Sequence, residues 1–156
     1  DQIKIKDFTL SGHIHYGTVV AGQQATHALR IIVVLDKTNS LINMPPAPPP
    51  VPAEAMWKVL EENNSSTGVY SPYDKTFRKT FRVLHDRTYH MNAENGATPF
   101  KINLKNIDAR VRYQPGGTVP GSNDLKFFFV SNEDPGLIPA SHPAISYGGE
   151  ITYVDN

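Results

Sequence analysis

The chain predicts an all-β fold, an eight-stranded antiparallel jelly-roll sandwich, on three observations. Residues 31–35 are five aliphatic residues in a row, Ile-Ile-Val-Val-Leu. Such a run cannot alternate between core and solvent, so it reads as a strand covered on both faces. Five more β-rich segments, at 3–14, 81–84, 100–104, 127–130 and 151–154, are separated by loops rich in Pro, Gly and Asn. Both ends of the chain lie in such segments, as in a jelly roll, where the first and last strands are neighbours.

The elements follow in order. Ile3, Ile5 and Phe8 alternate with Lys4 and Lys6 to open strand B at 3–14, and 16–20 extends it past a bend at Gly17. The buried run lies in strand C, 28–36. Residues 37–78 form a long loop whose stretch Met44-Pro-Pro-Ala-Pro-Pro-Pro-Val-Pro52 is extended, because Pro donates no ladder hydrogen bond. Within it Met56, Val59 and Leu60, at i, i+3, i+4, predict a short helix over 53–62. Alternating Phe81 and Val83 give strand D, 79–84; His85-Asp86 reads as a corner into strand E, 87–91. Asn95-Gly96 supplies a hairpin connection to strand F, 100–104. Strand G is 110–113, and the apolar run 125–130 is a second central strand, H. Residues 131–149 read as a loop, with Gly148-Gly149 as turn glycines, before the final strand I, 150–155. A jelly roll sorts these into sheets B-I-D-G and C-H-E-F, with the two continuous apolar runs, C and H, adjacent.

A chain of 156 residues is expected to be one domain, 1–156, burying roughly 70% of its unfolded surface. Cysteine is absent, which removes disulfides, thiolate metal ligands and a thiol nucleophile. Fifteen Lys+Arg balance fifteen Asp+Glu, so the body has no general attraction for nucleic acid or anionic membrane. No apolar stretch reaches the roughly 18 residues of a membrane-spanning helix, so no membrane partner is expected. No nucleophile motif, phosphate-cradling loop or carboxylate pair stands out, and the reading is non-enzymatic, without catalytic residues or cofactors.

Four pieces occur in order: Ile3-Lys-Ile-Lys-Asp-Phe-Thr-Leu-Ser-Gly-His-Ile14, Leu29-Arg-Ile-Ile-Val-Val-Leu-Asp-Lys37, Phe81-Arg-Val-Leu-His-Asp-Arg-Thr-Tyr89 and Ile151-Thr-Tyr-Val-Asp155. This series resembles the single jelly-roll capsid proteins of small circular Rep-encoding single-stranded DNA viruses, the group likened to satellite tobacco necrosis virus. The resemblance spans nearly the whole chain. It departs from the family in its long Pro-rich loop after Lys37 and in lacking an Arg/Lys-rich N-terminal arm.

The resemblance implies a structural protein of the virion that assembles with itself into an icosahedral shell, simplest as T=1 with about sixty copies, in the host nucleus. The shell would enclose a circular single-stranded DNA. A host receptor is implied but not identified. Packing a polyanion requires many cations, and a neutral body does not supply them. A basic arm upstream of Asp1 is therefore expected.

Lys4, Lys6, Arg82, Arg110 and Arg112 alternate with apolar neighbours, which places them on one face of the expected B-I-D-G sheet. Facing the lumen, that surface contacts DNA phosphates; otherwise it is a solvated face or an intersubunit ion-pair surface. Trp57, Tyr70 and Tyr73 in the long loop suit a sugar- or receptor-binding surface, or anchor the loop on its own subunit or a neighbour. A carbohydrate-binding or attachment module is the alternative function they support. His13 and His15, at i, i+2, share a strand face, but the Glu that a jelly-roll metal site requires four residues on is replaced by Val19, so no metal is expected.

Overall fold

The computed structural model describes residues 2–17, 26–38, 59–61, 69–92, 94, 96–113, 120–132 and 143–155 of the chain. Among these residues the protein is all-β, with no helix and two antiparallel sheets. Seven strands are long: β1 (Gln2–His15), β2 (Thr26–Asp36), β3 (Phe81–Asn92), β4 (Ala97–Leu104), β5 (Ala109–Tyr113), β7 (Asp124–Ser131) and β8 (Ala144–Asp155). A three-residue strand, β6 (Pro120–Ser122), lies between β5 and β7 in the chain.

The continuous aliphatic run does what its composition requires. Ile31, Ile32, Val33 and Val34 have no exposed surface. Ile31, Val33 and Leu35 face the five-stranded sheet with Ile5, Phe8, Leu10 and Ile14 of β1. Ile32 and Val34 point the other way and meet Phe81 of β3, Val130 of β7, and Val59 and Leu60 of the long connection. Each such aliphatic side chain contributes about 1.5–3 kcal/mol of transfer free energy, so β2 is the anchor of the fold.

The expected neighbours B–I and C–H are present: β1 pairs with β8 along its length, and β2 with β7. The remaining sheet assignment is corrected. Segments D and E are one strand, β3, which pairs with β2 from Thr26↔Asn92 to Asp36↔Phe81. The expected corner at His85-Asp86 is a bulge, with Val33 opposite His85 but Val34 opposite Val83. One inserted residue, Leu84, bends the strand without breaking the ladder. D therefore lies beside C, because Phe81 and Val83 are needed with Ile32 and Val34 on that sheet's second apolar face.

Segments F and G join B rather than E or D. With fourteen residues, β1 is long enough to take two strands end to end on one edge. Gln2–Ile5 pair with β5, and Phe8–His15 with β4. A register shift on the β8 side between Ile5 and Asp7 marks the join. β3 and β4, on either side of Asn95-Gly96, lie in different sheets and do not pair as a hairpin. Residues 144–149 are strand, not loop. The body of the predicted helix, 53–58 and 62, lies outside the described residues, while Val59–Glu61 form a turn, a bridge to Tyr73 and a bend.

Candidate nucleic-acid interface

The ladder fixes where the cations sit. On β1 and β5, Ile3 faces Val111 and Ile5 faces Ala109, all toward the core. Lys4 opposite Arg110 and Gln2 opposite Arg112 therefore share the outer face. The link from β4 to β5 is tied to β1 at Lys6 and Asp7. Ile107 donates its N–H to the Lys6 carbonyl at 2.8 Å, and Asn106 donates its N–H to Asp7 Oδ1 at 3.1 Å. Asn106 and Asp108 adopt left-handed φ of 55° and 51°, which such residues tolerate and which tighten the turn.

That turn delivers Asp108 between the two lysines, 2.9 Å from Lys4 Nζ and 3.0 Å from Lys6 Nζ. The hydrogen bonds from Lys4 and then Lys6 hold the Asp108 carboxyl below its ordinary range, and the bond to Asp108 raises Lys6. Two of the five predicted phosphate contacts are thus engaged by an acid. Asp108 carried no signal in the sequence, because no alternation marks a turn residue as the partner of two lysines so distant along the chain.

Arg82 is on the other sheet, in β3, so the expectation of five charges on one sheet face is corrected. It nonetheless reaches across to donate to the Ile107 carbonyl at 3.3 Å. Arg82, Arg110 and Lys37, with Asp108 and Asn123, line an open cleft of about 380 Å3 at this end of the sandwich. Arg110 and Arg112 are exposed and in no ion pair among the described residues. Such guanidinium groups suit the planar, forked geometry of a phosphate. Exposure also screens them beyond about 8–10 Å at physiological salt, so this is a surface of modest affinity.

The second predicted group divides. Trp57 lies outside the described residues. Tyr73 anchors the long connection: its hydroxyl donates to Asp86, which also receives Arg30 Nη2 at 2.7 Å and Nε at 2.8 Å. Arg30 is 8% exposed and donates further to the Ser71 carbonyl at 2.6 Å. Burial works to raise the Asp86 pKa, but the hydrogen bonds from Arg30 and Tyr73 outweigh it, and the carboxyl titrates below its ordinary range. Burial, with the bond to Asp86, pushes the Tyr73 hydroxyl well up. Tyr70 is 63% exposed, its ring stacked 6.4 Å from His90. Arg30 was invisible as a site residue because it reads as a flank of the apolar run.

His13 and His15 are both exposed with ring centroids 6.4 Å apart. Among the described residues no group of three metal-capable side chains forms. With this geometry in view, comparison with known proteins adds no identity: the sequence matches no family model and no curated protein.

Proposed function

We propose that this chain is the wall unit of a small icosahedral viral shell, a non-enzymatic capsid protein of jelly-roll type enclosing a circular single-stranded DNA. The observation that carries this reading is nested pairing, first strand with last and second with penultimate. These are the two outer pairs formed when one long hairpin is rolled into a jelly roll. The ordered segments that resemble such capsid proteins fall on β1, β2, β3 and β8. The shell is simplest as T=1 with about sixty copies, since closed symmetry multiplies modest contacts. Its place is the virion, with assembly in the host nucleus.

In this reading Arg82, Arg110 and Arg112 contact phosphates, while Lys4 and Lys6 are held by Asp108. Bulk packaging requires more cations than this formally neutral sequence supplies, so the particle draws them from other basic residues. The test is sedimentation and negative-stain microscopy of the full gene product with single-stranded DNA. Closed particles of megadalton mass are expected, and a single chain at every salt and pH overturns the proposal.

The exposed Tyr70 beside His90 favours one second reading, a carbohydrate-binding or attachment module. Glycan-array binding by a monomer, lost in Tyr70→Ala, selects it over a capsid.

A further inference from the structure

Among the edge strands of the described structure, β8 is the one without Lys, Arg or Pro. β8 pairs with β1 on one side, and among the described residues no strand pairs with its other edge. Its side chains are exposed from end to end apart from a half-buried Ile145. Ile145, Tyr147, Ile151 and Tyr153 lie opposite Ile14, Gly12, Phe8 and Ile5, so they point to the core side of the sheet. Yet Tyr147, Ile151 and Tyr153 remain 52%, 46% and 57% exposed. Of these, Tyr147 meets Phe127 and Phe129 of β7 in the opposite sheet. The ends of soluble sheets are ordinarily blunted by Lys, Pro or a bulge in the edge strand. Within 144–155 there is no Lys, Arg or Pro.

We infer that the free edge of β8 pairs antiparallel with β8 of a second copy about a two-fold axis through Gly149. This deepens the self-assembly reading by naming its surface. The partner is chosen by self-complementarity. With Gly149 on the axis, Tyr147 faces the other copy's Ile151, Ile145 faces Tyr153, Ser146 faces Thr152 and Gly148 faces Glu150. Apolar groups meet apolar groups on one face, and the acid meets a glycine on the other. Moving the axis to Glu150 sets two carboxylates against each other, which is destabilising. Moving it to Gly148 brings Pro143, which has no N–H, opposite Tyr153. A two-fold pair is isologous, so one strand must satisfy both roles, and of these three registers the one centred on Gly149 does so.

The chain has no cysteine, so engineered thiols report the register without background. Gly148 and Glu150 are exposed on the outer face, and a Cβ at Gly148 meets nothing within 4 Å. An equimolar mixture of differently tagged Gly148→Cys and Glu150→Cys chains is oxidised mildly and run on a non-reducing gel. The hetero-disulfide should exceed either homo-disulfide by about tenfold, because directly opposed Cβ atoms lie about 4.5–5.5 Å apart and the diagonal ones about 7–8 Å. Ile151→Lys in the otherwise native chain should weaken the pair at least about tenfold in sedimentation, with its circular dichroism unchanged. Equal yields of all three dimers, no cross-link, or native association by Ile151→Lys overturns the inference. Shells without the 148–150 cross-link reject this interface and leave the capsid reading standing. The cross-linked dimer without shells supports the interface and rejects the capsid.

Discussion

The two sheets solve the same problem to different degrees. The β3-β2-β7 sheet has both faces covered, one by the five-stranded sheet and one by the segment carrying Val59, Leu60, Tyr73 and Phe77. The five-stranded sheet has a buried strand, β1, beside an exposed one, β8. Removal from water, and hence stability, concentrates in the first region. Among the described residues the second is left with apolar side chains and edge backbone groups uncovered. A contrast of this kind within one domain separates what folds the chain from what the chain is available to bind.

The sharpest break in that contrast is truncation on each side. Ile32→Ala, at a fully buried position, should cost about 4 kcal/mol in urea unfolding, while Ile151→Ala on β8 should cost about 0.5 kcal/mol in the monomer. Equal costs would mean that β8 is as buried as β2. Next is Asp86→Ala, which leaves the Arg30 guanidinium 8% exposed without its carboxylate. With the Asp86 side chain 28% exposed, solvent moderates the loss to about 2–3 kcal/mol. The double variant Arg30→Met with Asp86→Leu should recover part of it, because an apolar pair leaves no charge stranded.

Gly12→Val acts on the other side. A Cβ at Gly12 would overlap the Ser146 carbonyl oxygen, so β8 must move away from β1. Overpacking of this kind costs about 1–3 kcal/mol. Limited proteolysis should then cut within 144–155 while β2 stays intact; unchanged resistance of β8 would contradict the close approach.

A smaller effect follows from pH. Burial lowers the His85 pKa, so its neutral form stabilises the fold fully above the ordinary histidine value of about 6.5. That contribution is lost as pH falls toward the folded value. The depressed Asp86 carboxyl acts lower: its contribution is present above about 3.9 and lost as pH falls through its folded pKa. Thermal melting should therefore decline in two stages, the upper one absent in His85→Gln and the lower one absent in Asp86→Asn. The smallest structural effect is expected from Asp108→Asn, at the surface, since Asn tolerates the left-handed φ of this position. It should leave melting nearly unchanged yet raise the salt needed to elute the protein from single-stranded DNA, since Lys4 and Lys6 lose their counter-charge.

Which parts were legible in the sequence follows the same division. The aliphatic run of β2 and the alternation in β1, β4 and β5 declared themselves because burial imposes a period that residue types must obey. The first half of β8 did not. Gly148-Gly149 reads as a turn, but in the fold Gly149 sits where a Cβ would lie 3.3 Å from the Thr9 carbonyl and 3.4 Å from Leu10 Cδ1. The glycine there serves close strand approach, which a one-dimensional pattern does not separate from a turn. The Leu84 bulge was hidden for a related reason, since an inserted residue resets the alternation and imitates a corner. Of the candidate site, the cations on β1 and β5 were found by alternation. Tyr73 was singled out as a possible anchor of the long loop, but Asp108 and the partners of Tyr73, Arg30 and Asp86, were missed because each contact joins segments that no local pattern connects.

Hydrogen exchange followed by mass spectrometry over a range of protein concentrations tests the division most directly. Amides of β2 should be strongly protected at every concentration, whereas the amides within 144–155 that point away from β1 should gain protection only as copies associate. Full protection of β8 at the lowest concentration, or none at the highest, would contradict an edge that is open in the monomer and closed by a second copy.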